Sequence, residues 1–405
     1  MTAVMSGVRV LEVAEHTFVP AASALLADWG AEVIKIEHVE RGDAMRGLAQ
    51  SGLAVVGGTV HVLLEHSNHG KKSIGLDLKS PDGLEILYKL AATSDVFLTN
   101  KLPSVRTALK IDVDDIRAAN PDIIYVRGTG WGEEGPDADK GAYDSLAYWN
   151  RAGIAMSMHQ DEDDFVMPPP APAFGDSIGG LTIAGGIMGA LFHRERTGEA
   201  TTVDVSLLGV GIWSVGAGLA LCNQMGQPTL GIGRKGPTGN PLVTNYETKD
   251  HRWVSLCCLQ ATKYWPEMCE VIGQPELGTD ERFADPLSMM ANGAEAAQIL
   301  SAEFAARTAA EWRELLAGFS GQWAMVQDVL EVVDDPQTVA NGYVAHCKND
   351  SGVEYKLAAA PIQFGGEPAP VGRAPEFNEH GDALLEELGL DWDAIVDLKV
   401  RGVVA

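Results

Sequence analysis

The chain has 405 residues, enough for two domains of ordinary size, and its apolar and charged fractions, 46% and 21%, are those of a globular protein. Its net charge of -26 argues against a nucleic-acid partner and means that any phosphate-bearing ligand needs a local cluster of cations. Five cysteines, Cys222, Cys257, Cys258, Cys269 and Cys347, have no zinc-type spacing and suit a reducing cytoplasm, with the Cys257-Cys258 pair expected in the core.

Residues 8–13 read as a short buried strand, residues 20–30 as a helix ending on glycine, and residues 31–37 as the next strand. This β-loop-α-β opening predicts a parallel sheet. The alternation continues with strand 72–78, helix 82–93, strand 95–99, helix 112–119 and strand 123–126. No basic region precedes an apolar stretch at the start, so no secretory signal is expected. Residues 205–233 carry no formal charge and are long enough to span a bilayer, but Asn223, Gln224, Pro228 and many glycines interrupt them. The expectation is a buried helix, at a subunit interface rather than in a membrane. Further on, residues 246–256 predict a hairpin and residues 295–317 a helix. A proline-containing arm at 361–375 then leads to a helix at 382–388.

A proline-rich arm, Pro168-Pro169-Pro170-Ala171-Pro172, runs into Gly175-Asp176-Ser177-Ile178-Gly179-Gly180 and an apolar, glycine-rich segment. One carboxylate at such a junction is a candidate nucleophile. It is equally a favoured helix cap, and the roles are compatible because a helix N-terminus favours an anion. The same residues match G-x-S-x-G, which offers Ser177 as a serine nucleophile served by His346 or His380. That elbow requires a strand before it, and prolines are excluded from central strands. Gly130, Gly132 and Gly135 match G-x-G-x-x-G, but Glu133 and Glu134 would repel a pyrophosphate. A glycine-rich turn is expected there. Lys71, Lys72 and Lys79 crowd one strand's ends and are either a phosphate site or a solvated edge. His61, His66 and His69 have no metal register and are expected in a solvent-facing loop.

The chain resembles the class III coenzyme A transferases, the CaiB/BaiF-type family of formyl-CoA and carnitine-CoA transferases. The likeness rests on the joint order of Gly7-Val8-Arg9-Val10-Leu11-Glu12, Leu25-Leu26-Ala27-Asp28-Trp29-Gly30-Ala31-Glu32-Val33-Ile34-Lys35-Ile36-Glu37, Lys72-Ser73-Ile74-Gly75-Leu76-Asp77-Leu78-Lys79 and Gly175-Asp176-Ser177. Later pieces are Val203-Asp204-Val205-Ser206-Leu207-Leu208, Asp335-Pro336 with Gly342, and Gly372-Arg373-Ala374-Pro375 with Glu379-His380. The resemblance implies an α/β fold: a large Rossmann-like domain from residues 1–224 and 331–405, and a smaller α+β domain from residues 225–330. Two subunits would be threaded through each other as linked rings in a cytoplasmic homodimer with no membrane partner. It also implies that Asp176 attacks an acyl-CoA thioester, forms an anhydride and then an aspartyl-CoA thioester, and passes CoA to an acceptor carboxylic acid. Coenzyme A is then the only cofactor, without metal or nicotinamide.

CoA contacts map by resemblance onto Thr17, Phe18, His38, Leu76, Asp77, Leu78, Lys79, Asn100, Lys101, Tyr143 and Asp144, with Lys71 and Lys72 as added cations. Gly231, Gly233, Gly236 and Gly239 correspond to a glycine-rich lid. Relatives carry arginine or lysine where this chain has His38, Ala108 and Gly141. Lys140, Lys101, Arg106, Lys71 or Lys72 are the candidate replacements. Trp131, Tyr148, Trp149, Met156 and Met158 lie in stretches that relatives place near the pocket; they are either walls for a bulky acid or core. The same fold hosts α-methylacyl-CoA racemases, whose basic histidine corresponds to Tyr143. A tyrosine, with an ordinary pKa near 10, is a poor base at neutral pH, which favours transfer. A third reading is a CoA-binding protein without turnover.

Overall fold

The computed structural model describes residues 2–51, 60–159, 163–230, 239–349 and 351–405. The chain forms two compact units, Met1–Leu230 with Pro336–Ala405, and Gly231–Asp335.

The first unit opens with β1 (Arg9–Val13), α1 (Phe18–Asp28), β2 (Glu32–His38), α2 (Val62–Asn68), β3 (Lys72–Leu76) and α3 (Pro81–Ala92). It continues with β4 (Val96–Thr99), α4 (Pro103–Leu109), α5 (Val113–Ala119) and β5 (Ile124–Thr129). A π-helical turn at Ser145–Arg151 leads to α6 (Ile154–Met158), the long α7 (Phe174–Thr197), β6 (Thr202–Ser206), α8 (Leu207–Ser214) and α9 (Gly216–Met225). The strands form one six-stranded parallel sheet in the order β3-β2-β1-β4-β5-β6. The order reverses between β1 and β4, which opens a crevice at the strands' C-terminal ends.

Side chains along a strand alternate between faces. Val10, Val33, Val96, Leu98, Ile124 and Val126 enter one core with α1 and α7, while Leu11, Ile34, Phe97 and Tyr125 enter the other with α3, α5 and the C-terminal helices. Between β1, β2 and β3 lies a buried ionic network. Lys35 Nζ reaches Glu12 at 2.6 Å and Asp43 at 2.7 Å. Lys71 Nζ reaches the other Glu12 oxygen at 2.8 Å and also donates to the carbonyl of Pro20 and to Asn68. Burial works against the Lys35 charge, but Asp43, Glu12 and Glu37 hold it above the usual lysine range. Removing one partner of such a set leaves a buried charge uncompensated.

The second unit contains β7 (Val243–Glu247), β8 (Trp253–Cys257), α10 (Ala261–Val271), α11 (Pro286–Ala306), α12 (Ala309–Leu315), β9 (Trp323–Met325) and α13 (Val329–Asp334), with the antiparallel sheet order β7-β8-β9. The expected hairpin is β7-β8. The expected helix at 295–317 is instead two, because Arg307 is extended and Thr308 with Glu311 forms a capping box that starts α12. The chain returns to the first unit through α14 (Pro336–Asn341), β10 (Val344–Lys348), β11 (Glu354–Ala358), α15 (Gly381–Glu387) and α16 (Trp392–Val400). The last residues bond to β3 and the turn after it: Asp77 N donates to Val403 O, Ala405 N to Gly75 O, and Asn378 Nδ2 to Ala405 O.

Three expectations need correction. The uncharged stretch after residue 205 is not one helix buried within this chain: α8 and α9 meet at a 68° bend, α9 buries no residue, and Trp213 is 86% exposed. By length and composition alone, α7 and the bent α8-α9 pair could each cross a bilayer, although Ile183, Ala184 and Ile187 of α7 are core residues. Cys258 is buried, but Cys257 is exposed, because they alternate on leaving β8. The three histidines are not in a solvent-facing loop. His61 caps α2 by accepting from Leu64 N, His66 lies within α2, and His69 is buried 3.1 Å from Asp28.

The start of α7 lies against α1. A Cβ on Gly179 would stand 2.3 Å from the Phe18 ring, and one on Gly180 2.8 Å from Ala21 Cβ and 3.1 Å from the Ala22 backbone nitrogen. Gly180→Val is therefore expected to lower stability by about 2–3 kcal/mol in urea unfolding through overpacking. Gly185→Ala, where a Cβ meets nothing within 4 Å, should raise it by about 0.5–1 kcal/mol. Equal effects of the two would refute the close-approach argument.

Candidate active site

Ala173 adopts the left-handed conformation (φ 57°), turning the chain out of the irregular proline segment and into α7. Asp176 falls in the first helical turn. Gly175 N donates to Asp144 Oδ2 at 3.2 Å, and Ser145 N donates to Asp144 Oδ1 at 2.7 Å, so Asp144 ties the start of α7 to the π-helical turn. Gly175 has no room for a side chain: a Cβ would sit 2.5 Å from Tyr148. Asp176 is half-buried, and burial first, then the Asp144 carboxylate, push its pKa up to about 7. The partial positive charge of the helix N-terminus acts in the opposite sense.

Asp176 lines a cleft of about 600 Å³ with Glu15, His16, Phe18, Asn100, Lys101, Thr129, Lys140, Gly141, Tyr143, Leu146 and Leu207. A second cleft of about 280 Å³ lies over the C-terminal ends of β1, β2 and β3, lined by His38, Arg41, Leu76, Asp77, Leu78 and Lys79 among others. Glu15, Lys101 and Val105 line both clefts. The loop after β1 is held open by backbone and carboxylate contacts. Glu15 N donates to Asn100 Oδ1, and Asn100 Nδ2 donates back to Glu15 O at 2.7 Å. His16 takes a left-handed conformation (φ 68°), fixed by its N–H donating to Asp43 at 3.0 Å. The His16 ring meets Tyr143 edge-on at 5.6 Å.

Most expected ligand residues therefore gather at the crevice. Phe18, Asn100, Lys101 and Tyr143 line the larger cleft, and His38 with residues 76–79 the smaller. Thr17 is buried at the start of α1 and lines neither cleft, and Asp144 acts on the helix start instead. Lys71 and Lys72 line neither cleft. The Lys71 side chain is wholly buried on Glu12, and Lys72 pairs with Glu32 at the opposite end of β3. Arg106 is likewise committed, forking onto Glu133 and reaching Asp112. Gly231, Gly233 and Gly236 lie outside the described residues, and Gly239 packs against Met290 and Gly293 of α11.

Tyr148 and Trp149 are core residues that meet Phe174 edge-on at 6.2 and 6.1 Å, while Met156 and Met158 are exposed and line neither cleft. Residues 130–135 form the expected turn rather than opening a helix. Ser177 lies inside the first turn of α7, after an irregular segment and not a strand; its Oγ donates to Ala173 O and stands 3.1 Å from His66 Nε2. His346 pairs with Lys356 across β10-β11, and His380 Nδ1 accepts from Ser73 N, so neither serves Ser177. Among the described residues no carboxylate bonds to His66. The sequence reading missed Glu15, His16 and Arg41. The positive φ of His16 has no signature in residue type, and Arg41 follows β2 by too few residues to form a pattern.

The match to the CoA-transferase family III model covers residues 5–381. Over 401 residues the chain is 31% identical to (R)-2-hydroxy-4-methylpentanoate CoA-transferase of Clostridioides difficile, covering 99% of each chain. It is 28% identical to cinnamoyl-CoA:phenyllactate CoA-transferase of Clostridium sporogenes, covering 98% of this chain and 96% of that one. Among solved structures, a CaiB/BaiF family protein from Brucella suis superposes with a TM-score of 0.79 at 26% identity, over 96% of this chain and 100% of the other. A hypothetical protein from Mycobacterium tuberculosis gives 0.77 at 27%, over 94% and 98%. With its parallel sheet, its crevice and a match along nearly its whole length, the chain belongs to CoA-transferase family III.

Proposed function

We propose that this protein transfers coenzyme A from an acyl-CoA thioester to an acceptor carboxylic acid, with Asp176 as the covalent nucleophile. The observation that carries the reading is the position of Asp176: a half-buried carboxylate in the first turn of a 24-residue helix, opening into the larger cleft. An ionised Asp176 oxygen attacks the thioester carbonyl. The C–S bond breaks, giving a mixed anhydride and CoA thiolate. The thiolate attacks the aspartyl carbonyl and expels the donor carboxylate, leaving an aspartyl-CoA thioester. The acceptor carboxylate attacks that carbonyl, forming a second anhydride, and the returning thiolate takes the acceptor acyl group and frees Asp176. One thioester replaces another, so the scheme calls for no nucleotide hydrolysis, metal or nicotinamide. The helix N-terminus stabilises the carboxylate and the oxyanions that follow it.

Phe18, Ala142, Leu146 and Leu207 give the cleft an apolar wall beside Asp176, which suits an acyl group with an uncharged side chain. The relatives named for a branched 2-hydroxy acid and for phenyllactate point the same way. We read the 3-2-1-4-5-6 sheet as a Rossmann-like CoA-binding domain completed by both chain ends, and residues 231–335 as the smaller domain. The working unit is an interlocked homodimer in the cytoplasm, neither membrane-bound nor nucleic-acid-bound. The exposed apolar residues of α8 and α9, among them Ile212, Trp213, Leu219 and Leu221, support burial against a second copy. A racemase reading has one observation in its favour: His16 shares the cleft with Asp176 and could exchange a proton at the α-carbon.

Asp176→Ala should reduce CoA exchange between labelled acid and acyl-CoA by at least about a thousandfold. In the wild type, acyl-CoA with hydroxylamine should yield a hydroxamate at Asp176. Full exchange activity in the variant would end the proposal. Uptake of solvent deuterium at the α-carbon without exchange would turn it into the racemase.

The raised pKa gives two pH tests. The rate should climb as pH rises through about 7, where Asp176 becomes ionised, and Asp144→Asn should move that rise to lower pH. In the unfolded chain Asp176 ionises near 3.8, so the folded protein retains a proton that the unfolded one releases, and stability is lost as pH rises from about 4 to 7. Asp176→Asn should then stabilise by on the order of 2 kcal/mol at pH 8, discounted for water at the cleft mouth, and by nothing near pH 3. A pH-independent effect would refute the shift.

A further inference from the structure

The positions where relatives carry phosphate-binding cations are His38, Ala108 and Gly141, and the structure narrows what replaces them. Lys71 and Arg106 are buried on carboxylates, and Lys72 is paired with Glu32 at the far end of its strand. Lys140 pairs with Asp137 at 2.6 Å. Sharing a carboxylate does not set any of these apart, since Lys140 shares Asp137 with Arg151 and Lys71 shares Glu12 with Lys35. Arg41 and Lys101 differ in place: they meet, at 3.0 Å and 2.5 Å, on Glu15, which lines both clefts. Two cations on one anion leave a positive excess and unused N–H donors. This occurs in a chain whose overall charge is -26.

Their location fixes what they face. Glu15 and Lys101 line both clefts, and Arg41, with 53% of its side chain exposed, lines the smaller one. On the proposed function the thioester sulfur sits at Asp176 in the larger cleft, and the smaller cleft is the space left for the nucleoside. The pyrophosphate, which joins the pantetheine arm to the nucleoside, then crosses the wall that the clefts share. We propose that Arg41 and Lys101 bind the CoA pyrophosphate, and that Glu15 is a resident counter-ion which the pyrophosphate displaces. The inference rests on the CoA-transferase reading.

Without CoA, Glu15 neutralises two cations that would otherwise repel each other. With CoA, the diphosphate oxygens take over both donors, and Glu15 turns to water. Competition by Glu15 weakens CoA binding, which assists release of the product thioester. The Glu15 backbone is tied to Asn100 in both directions, so changing the side chain leaves the loop in place.

Titration calorimetry at fixed ionic strength with CoA and with dephospho-CoA tests this. Arg41→Ala and Lys101→Met should each weaken both ligands alike, roughly tenfold. Arg41→Lys should recover most of the Arg41→Ala loss, and Glu15→Gln should tighten both ligands several-fold. Losses confined to CoA would assign the cations to the 3′-phosphate and overturn the proposal. Unchanged affinity in the cation variants, or weaker binding in Glu15→Gln, would overturn it as well. Failure of the wild type to bind either ligand would instead sink the CoA-transferase reading on which it rests.

Discussion

The site depends on two side chains being absent. Gly179 and Gly180 let the first turns of α7 lie directly against α1, where any Cβ would strike Phe18 or the backbone of Ala22. That approach sets the N-terminus of a 24-residue helix at the crevice where the sheet order reverses. Asp176 is carried there by the backbone, as its own neighbours Gly175 and Asp144 are. The helix end favours an anion, while burial and Asp144 oppose ionisation. The result is a carboxylate whose ionisation is raised to about pH 7.

A second constraint is electrostatic. So acidic a chain must hold its cations away from indiscriminate pairing if it is to bind a polyanion. It sorts them by depth. Lys35 and Lys71 are sunk with Glu12 and Asp43 between the strands, where they join β1, β2 and β3. Arg41 and Lys101 stay at the crevice on one shared carboxylate. The buried set holds the strands whose ends form the smaller cleft, and the last residues of the chain bond to the end of β3 from the other side.

Much of the sheet was legible in the sequence because β1, β2, β4 and β5 each carry a short apolar run, Val10-Leu11, Val33-Ile34, Val96-Phe97-Leu98 and Ile124-Tyr125-Val126, between helical periods. β6 was not read as a strand, since Thr202, Asp204 and Ser206 interrupt it and only pairing with β5 makes it one. The split between α11 and α12 was written in Thr308 and Glu311 but masked by apolar spacing that runs through both. At the site, Asp176 could be picked out from its glycine and proline surroundings. The commitments of Lys71 and Arg106 could not, because a cation's partner depends on tertiary contacts across the sheet. Glu15 and Arg41, far from Lys101 in sequence, acquire meaning only when the loops after β1, β2 and β4 come together.

The central claim is that CoA passes through Asp176 by way of acyl bonds to its carboxylate. In that scheme the acceptor carboxylate attacks the aspartyl carbonyl and leaves one of its own oxygens there when the thiolate takes its acyl group. After turnover with an acceptor acid labelled with heavy oxygen, mass spectrometry of the peptide containing Asp176 should show the label in that side chain. Turnover that forms the product thioester while this peptide remains unlabelled would contradict the account.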